Sequence, residues 1–184
     1  DSDKMTTEAQ NCLLKTLEEP PEFVTIILIG SNESAFLDTI KSRCMILRFN
    51  KISDENIVKF LEENFQTKVN SQIMLEAFQG SIGKAIQLQD KQEEYEQIEN
   101  VIINLEKRDK IDTLNKAEVI YKAKEEKFEI LDYINIILLD LAKKSSKYAM
   151  CINIVEDTKR RLQSNANYDM SIDNLLLKLW EQVH

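Results

Sequence analysis

A mainly α-helical chain is what this sequence predicts, and three observations predict it. Only three glycines and two prolines occur in 184 residues, so turn formers are scarce. Charged residues make up 30% and hydrophobic residues 43%, which combines polar helix surface with enough apolar area for a core. From Lys51 onward, apolar residues recur at the spacing of a helix with one buried face.

The first fifty residues read differently from the rest. Thr6 or Thr7 can cap a helix, and Thr7 with Gln10 fits a capping box. Ala9, Leu13 and Leu17 recur at four-residue spacing beside Cys12 and Leu14, and Pro20-Pro21 ends that helix. The run Phe23 to Ile29 is continuous, apolar and rich in β-branched residues, as in a buried strand of a parallel sheet. A loop over Gly30 to Glu33, a short helix around Phe36 to Lys41 and a second strand candidate, Met45 to Phe49, follow. Two strands do not make a parallel sheet, and no further strand pattern appears downstream. The preferred expectation is that the chain begins inside an α/β domain. A cut sheet exposes strand edges and apolar faces.

Helical signals then dominate. Ser53, with Asp54 and Glu55 behind it, opens a helix whose stripe is Ile57, Val58 and Leu61. A second helix runs from Ser71 to Gln79 and stops near Gly80, and a third covers Ile82 to Leu88. Longer amphipathic helices carry Ile98, Val101, Ile102 and Leu105, then Phe128, Leu131, Ile134, Ile137, Leu138 and Leu141. Ile152, Val155 and Leu162 follow, and Ser171 caps a last helix with Ile172, Leu175, Leu176, Leu179 and Val183. Trp180 and Tyr168 read equally as interface anchors or as core.

Composition excludes several function classes. A net charge of −8 argues against a chain that binds nucleic acid through its own overall basic surface. The short clusters Lys107-Arg108-Asp109-Lys110, Lys143-Lys144 and Lys159-Arg160-Arg161 lie among acids and read as solvated helix faces. Cys12, Cys44 and Cys151 are scattered, with neither disulfide nor metal-ligand spacing, which fits a reducing cytoplasm. His184 is the one histidine, so no histidine-based metal site or catalytic triad is expected. The opening Asp1-Ser2-Asp3-Lys4 is polar, unlike a signal peptide, and no apolar run is long enough for a membrane span.

Two stretches carry the specific signal. One is the segment Asp1 to Pro21, with Met5-Thr6 and Leu13-Leu14-Lys15-Thr16-Leu17-Glu18-Glu19-Pro20-Pro21; the other is Ser42-Arg43-Cys44, between a short helix and a strand candidate. In this order and spacing they resemble the clamp-loader branch of the AAA+ ATPases. There, a DEAD-x-M-T…N-A-L-L-K-x-L-E-E-P-P segment follows the Walker B strand and an SRC motif comes later. A weaker trace, Asn165-Ala166-Asn167 with Asn174 to Leu179, is similar to the closing helices of bacterial collar domains. The match is strong over residues 1–50 and softer beyond.

The resemblance implies three parts: residues 1–50 as the C-terminal part of an AAA+ α/β module, 51–90 as its three-helix lid, and 91–184 as a helical collar for oligomerisation. No G-x-x-x-x-G-K-[ST] phosphate loop occurs in the sequence. Asp1 takes the place of the water-activating acid, one methylene shorter than the usual Glu, although for this chain a solvated acid without a role is the preferred reading. Ser31 falls at the sensor-1 position, next to Asn32, and is taken as vestigial. Arg43 would be an arginine finger that projects into a neighbouring subunit's ATP site, where a planar, permanently charged guanidinium stabilises the transferring phosphoryl group. Ser42 and Cys44 would shape and pack its turn.

Gly80-Ser81-Ile82-Gly83-Lys84-Ala85 matches the sensor-2 helix, but Gly83 stands where ATP-binding members carry arginine. Lys84 is one residue off, roughly 100° around the helix. That departure points to the delta-prime type of bacterial DNA polymerase III clamp-loader subunit, which lends a finger and does not hydrolyse ATP. No cofactor, metal or small-molecule substrate is then expected in this chain, because ATP and magnesium sit on neighbours. Expected partners are gamma/tau and delta subunits in a hetero-oligomer, with the sliding clamp and primed DNA reached through the assembly. The whole would be a cytoplasmic DNA-directed DNA polymerase, a nucleotidyltransferase active in DNA replication. Alternatives are a gamma/tau-type ATPase motor fragment, a replication-factor small subunit, or a helical scaffold with a chance motif.

Overall fold

The computed structural model describes residues 1–69 and 71–184, and it is mainly helical, as expected. Two compact units are present, Asp1–Asn50 and Lys51–His184.

In the first unit, α1 (Thr7–Glu18) follows a 3-10 turn at Ser2–Lys4. Thr6 is the N-cap: its Oγ1 accepts the Ala9 N–H at 3.3 Å. Gln10 is therefore no capping-box partner. It is only 3% exposed and ties three segments together. Its Nε2 donates to the carbonyls of Met5 (3.2 Å) and Ala35 (2.9 Å), and its Oε1 accepts the Leu37 N–H (2.8 Å). A 3-10 turn at Glu33–Ala35 leads to α2 (Asp38–Lys41), which buries Ile40.

The strand expectation is corrected. Phe23–Ile29 and Met45–Phe49 are not strands, and no strand occurs among the described residues. A strand exists only through a ladder of bonds to a neighbour, and these two segments form none with each other. Their side chains lie open: Phe23 is 93% and Phe49 92% exposed, with Ile27, Ile29, Met45 and Leu47 also exposed.

The second unit begins with α3 (Asp54–Phe65), α4 (Gln72–Phe78) and α5 (Ile82–Gln89). Ile57 and Leu61 of α3 are fully buried. Ser71 and Ser81 cap α4 and α5. Gly80, between these two helices, has φ +76°, and a Cβ there would meet Lys51 Cβ at 2.4 Å. The Gly80 carbonyl accepts the Ile52 N–H at 3.0 Å, so the segment before α3 packs against this turn.

Next come α6 (Gln92–Ile103), the short α7 (Lys110–Lys116) and α8 (Glu118–Lys122), and the long α9 (Lys127–Lys144), α10 (Lys147–Gln163) and α11 (Tyr168–Val183). One core joins α3 to α11, and the unit is continuous through residue 90. Every residue of the predicted α6 and α11 stripes is buried, as are Leu131, Ile134, Ile137 and Leu138 of α9. Two details differ from expectation. Asn167, not Ser171, caps α11; Ser171 lies a turn inside, its hydroxyl donating to the Asn167 carbonyl at 2.6 Å. The Lys107–Lys110 cluster, read as solvated, runs into α7, and the Arg108 side chain is only 12% exposed. Tyr168 is core, its hydroxyl donating to the Ile120 carbonyl at 2.6 Å. Half-buried Trp180 donates Nε1–H to the Arg108 carbonyl at 2.7 Å.

Candidate functional site

The site of greatest interest is the turn that leaves α2. Ser42 is the C-cap of that helix, with its N–H on the Asp38 carbonyl at 2.9 Å. The Arg43 N–H bonds the Ile40 carbonyl at 3.0 Å, and the Cys44 N–H reaches the Lys41 carbonyl at 3.4 Å. Buried Ile40 pins α2 from below, and this tight turn then delivers Arg43 to the surface. The guanidinium is well furnished. Nη1 donates to the Thr39 carbonyl (2.9 Å) and to Ser42 Oγ (3.3 Å), and Nη2 forms a short ion pair with Glu18 in the last turn of α1. The pair stays open to solvent, with 34% of the Arg43 side chain and 48% of the Glu18 side chain exposed. Cys44 is half-buried.

A second polar group forms at the other side-chain cluster of this unit. Asp3 Oδ2 accepts the Ser31 hydroxyl (2.9 Å), the Ser31 N–H (3.2 Å) and the Asn32 N–H (3.3 Å). The Ser31 hydroxyl bond is the largest cause holding the Asp3 carboxyl below its usual range. Gly30 makes the approach feasible, because a Cβ there would stand 2.9 Å from the Phe36 ring and 3.1 Å from Asp3 Cβ. Asn32 turns to Ser34 instead, accepting its N–H at 3.1 Å and its hydroxyl at 2.6 Å. Asp1 is exposed and pairs with Lys4 at 2.8 Å; Asp3, not Asp1, touches Ser31.

Gly83 lies in the second unit, exposed in the first turn of α5. A Cβ there would meet only Ser81 Oγ, at 3.8 Å, so packing does not demand glycine. Lys84 reaches back to Gln79 Oε1 at 2.6 Å.

The basic clusters are largely neutralised within the unit. Lys143 pairs with Glu76 (3.0 Å), Lys144 with Asp140 (2.9 Å), Lys159 with Asp132 (2.6 Å) and Glu156 (2.7 Å), and Arg160 with Asp157 (3.2 Å). Among the described residues no group of three His, Cys, Asp or Glu side chains is placed to hold a metal ion. No helix among them is long and apolar enough to cross a membrane.

Sequence reasoning singled out Arg43 but gave no long-range contact to Glu18 or Asp3, and it gave Gln10 only a local capping role. All three make contacts across 25 or more residues of chain, between elements whose packing no local periodicity encodes.

A family model matches the region that holds the Arg43 turn. Residues 1–53 match the family model described as "DNA polymerase III, delta subunit". A DNA polymerase III subunit gamma from Buchnera aphidicola subsp. Acyrthosiphon pisum is 48% identical over 52 residues, 28% of this chain and 14% of that protein. A replication factor C small subunit from Methanococcus vannielii is 36% identical over 63 residues, 34% of this chain and 20% of that protein. Replication factor C subunit 3 of Arabidopsis thaliana is 42% identical over 60 residues, 33% of this chain and 17% of that protein. The matched segment thus spans a fifth or less of these relatives. The chain is similar, over about a third of its length or less, to DNA polymerase III gamma and replication factor C subunits, and over residues 1–53 to the DNA polymerase III delta family model.

Proposed function

We propose that this chain is part of a bacterial clamp-loader subunit of the delta-prime type, which supplies Arg43 as a trans-acting arginine finger. The observation that carries the reading is the Arg43 turn itself. A permanently charged, forked donor leaves a short, well-bonded turn on a buried anchor, and it is open to solvent in the segment that the relatives share. In this role the guanidinium meets charge that develops on a neighbour's γ-phosphoryl group as the bond to ADP breaks. Arginine fingers are worth about 10³–10⁵ in rate where they have been measured.

On this reading the chain hydrolyses nothing alone. ATP and magnesium bind to neighbouring gamma/tau-type subunits, and Asp1, Ser31, Asn32 and Gly83 are remnants of a nucleotide site. The exposed Gly83, without the phosphate-reaching arginine, supports delta-prime over a motor subunit. The helical second unit serves as lid and collar, which hold the ring of subunits together while the clamp is loaded on primed DNA. The similarity to a gamma subunit favours one second reading, an ATPase motor fragment.

The test uses the full-length subunit, as it is and with Arg43→Ala, assembled with its motor and delta partners, clamp and primed DNA. DNA-stimulated ATP hydrolysis should fall about tenfold or more in the mutant with assembly intact. An unchanged rate would reduce Arg43 to a structural residue. Tight ATP binding by the isolated full-length subunit would favour the motor reading.

A further inference from the structure

We propose that Glu18 is a positioning residue for Arg43: its carboxylate parks the guanidinium on the subunit's own surface until the phosphates of a partner's nucleotide displace it. The inference rests on the arginine-finger reading above. Of the three acceptors around the guanidinium, the Thr39 carbonyl and Ser42 Oγ belong to the same turn as Arg43 and move with it. Glu18 comes from a different element, the last turn of α1 just before Pro20-Pro21, and it holds Nη2 from outside that turn. An arginine that swings toward another subunit can keep its local acceptors through much of the movement. It cannot keep Glu18.

Charge and exposure make the contact exchangeable. A carboxylate offers a single negative charge, whereas a nucleotide triphosphate with its metal offers several phosphate oxygens that match the guanidinium fork. Both side chains of the pair are solvent-exposed to a third or more, so an incoming anion can compete directly and the pair holds weakly. Glu18 therefore delays the finger without trapping it. Hydrolysis stays low until the ring of subunits brings a phosphate within reach.

Glu18→Gln removes the charge and keeps the shape. It also takes a negative charge from a helix C-terminus, which favours folding. In the assembled loader without clamp or DNA, basal ATP hydrolysis should rise roughly two- to fivefold, the range that an exposed ion pair can hold back. The stimulated kcat should stay within about twofold, because phosphate already outcompetes Glu18 there. Glu18→Asp, which keeps the charge on a shorter stem, should return the basal rate toward the original. Glu33→Gln breaks the exposed Arg48–Glu33 pair of the same unit and should change neither rate.

The outcomes separate the two ideas. If Arg43→Ala leaves hydrolysis intact, the finger reading falls and this inference with it. If Arg43→Ala abolishes stimulation but Glu18→Gln leaves the basal rate unchanged, the finger stands and the parking role is overturned. A loss of both basal and stimulated rates in Glu18→Gln and Glu18→Asp would overturn it too, by making Glu18 a support for the active pose. An equal basal rise in Glu33→Gln would reduce the effect to surface charge in general.

Discussion

Gln10→Ala strikes at the point where the first unit is held by polar bonds more than by apolar burial. Ile40 is the buried apolar side chain that residues 1–50 contribute among the described residues, so little hydrophobic reserve is available there. The Gln10 amide serves two carbonyls and one N–H, and truncation leaves all three without their partner. A hydrogen bond contributes about 1 kcal/mol net, and a buried polar group left bare costs about 1–3 kcal/mol. Water can reach some of these groups in so open a unit, which sets the expected loss at about 2–4 kcal/mol. That corresponds to roughly 30- to 1000-fold in the opening equilibrium. Native-state hydrogen exchange reads it at the Leu37 and Ile40 amides, which donate to Gln10 Oε1 and to the Leu37 carbonyl. Amides of α9, in the other compact unit, serve as the reference. Protection at Leu37 that is unchanged in Gln10→Ala would refute the view that this amide organises the unit.

Two further predictions concern titration and reactivity. The Asp3 carboxyl has a folded pKa below its unfolded one, so its contribution is fully present above about pH 4 and is lost as pH falls through the folded value. The Ser31 and Asn32 amide resonances should therefore titrate together in acid, and Asp3→Asn should abolish that titration. Burial raises the Cys151 thiol to about 11, whereas Cys12 is exposed. A thiol reagent at neutral pH should label Cys12 first and reach Cys151 only on unfolding, and fast native labelling of Cys151 would show that α10 opens locally.

Much of the second unit was legible because its signal is local. A helix with one buried face writes its period into the sequence: the α6 and α11 stripes are buried throughout, as are Ile57 and Leu61 of α3 and four of the six α9 positions, while Val58, Phe128 and Leu141 are half-buried. Caps were less secure. Ser171 and Asn167 both suit an N-terminus; Asn167 Oδ1 accepts the Met170 N–H at 3.1 Å, and α11 starts a turn earlier, with buried Tyr168 as its first residue. The short α7 and α8 were hidden under a lysine-rich stretch in which Arg108 reads as surface, although its side chain is largely buried and bonded to Asn100 and Asp112. The first unit exposes the limit of local reading. Phe23–Ile29 and Met45–Phe49 have the composition of strands, yet strandness is a property of a pair, and among the described residues neither forms a strand ladder. The candidate site divides in the same way. Arg43 stood out through its neighbours in sequence, while Glu18 became visible only when two helix ends met.

The empty space around Gly83 bears on how readily a side chain can be gained or lost there. Where a side chain is locked into a core, gaining or losing a chemical role disturbs the architecture and is resisted. At Gly83 the surroundings are open and the backbone is that of an ordinary helix turn, so an arginine could come or go there at little structural cost. A long basic side chain fits there sterically, but in the first turn its charge meets the positive end of the helix dipole, which offsets the gain in helix propensity over glycine. Such a position lets related chains exchange one side chain while the scaffold stays the same. A chemical difference between related chains can then rest on a single residue of an unchanged fold.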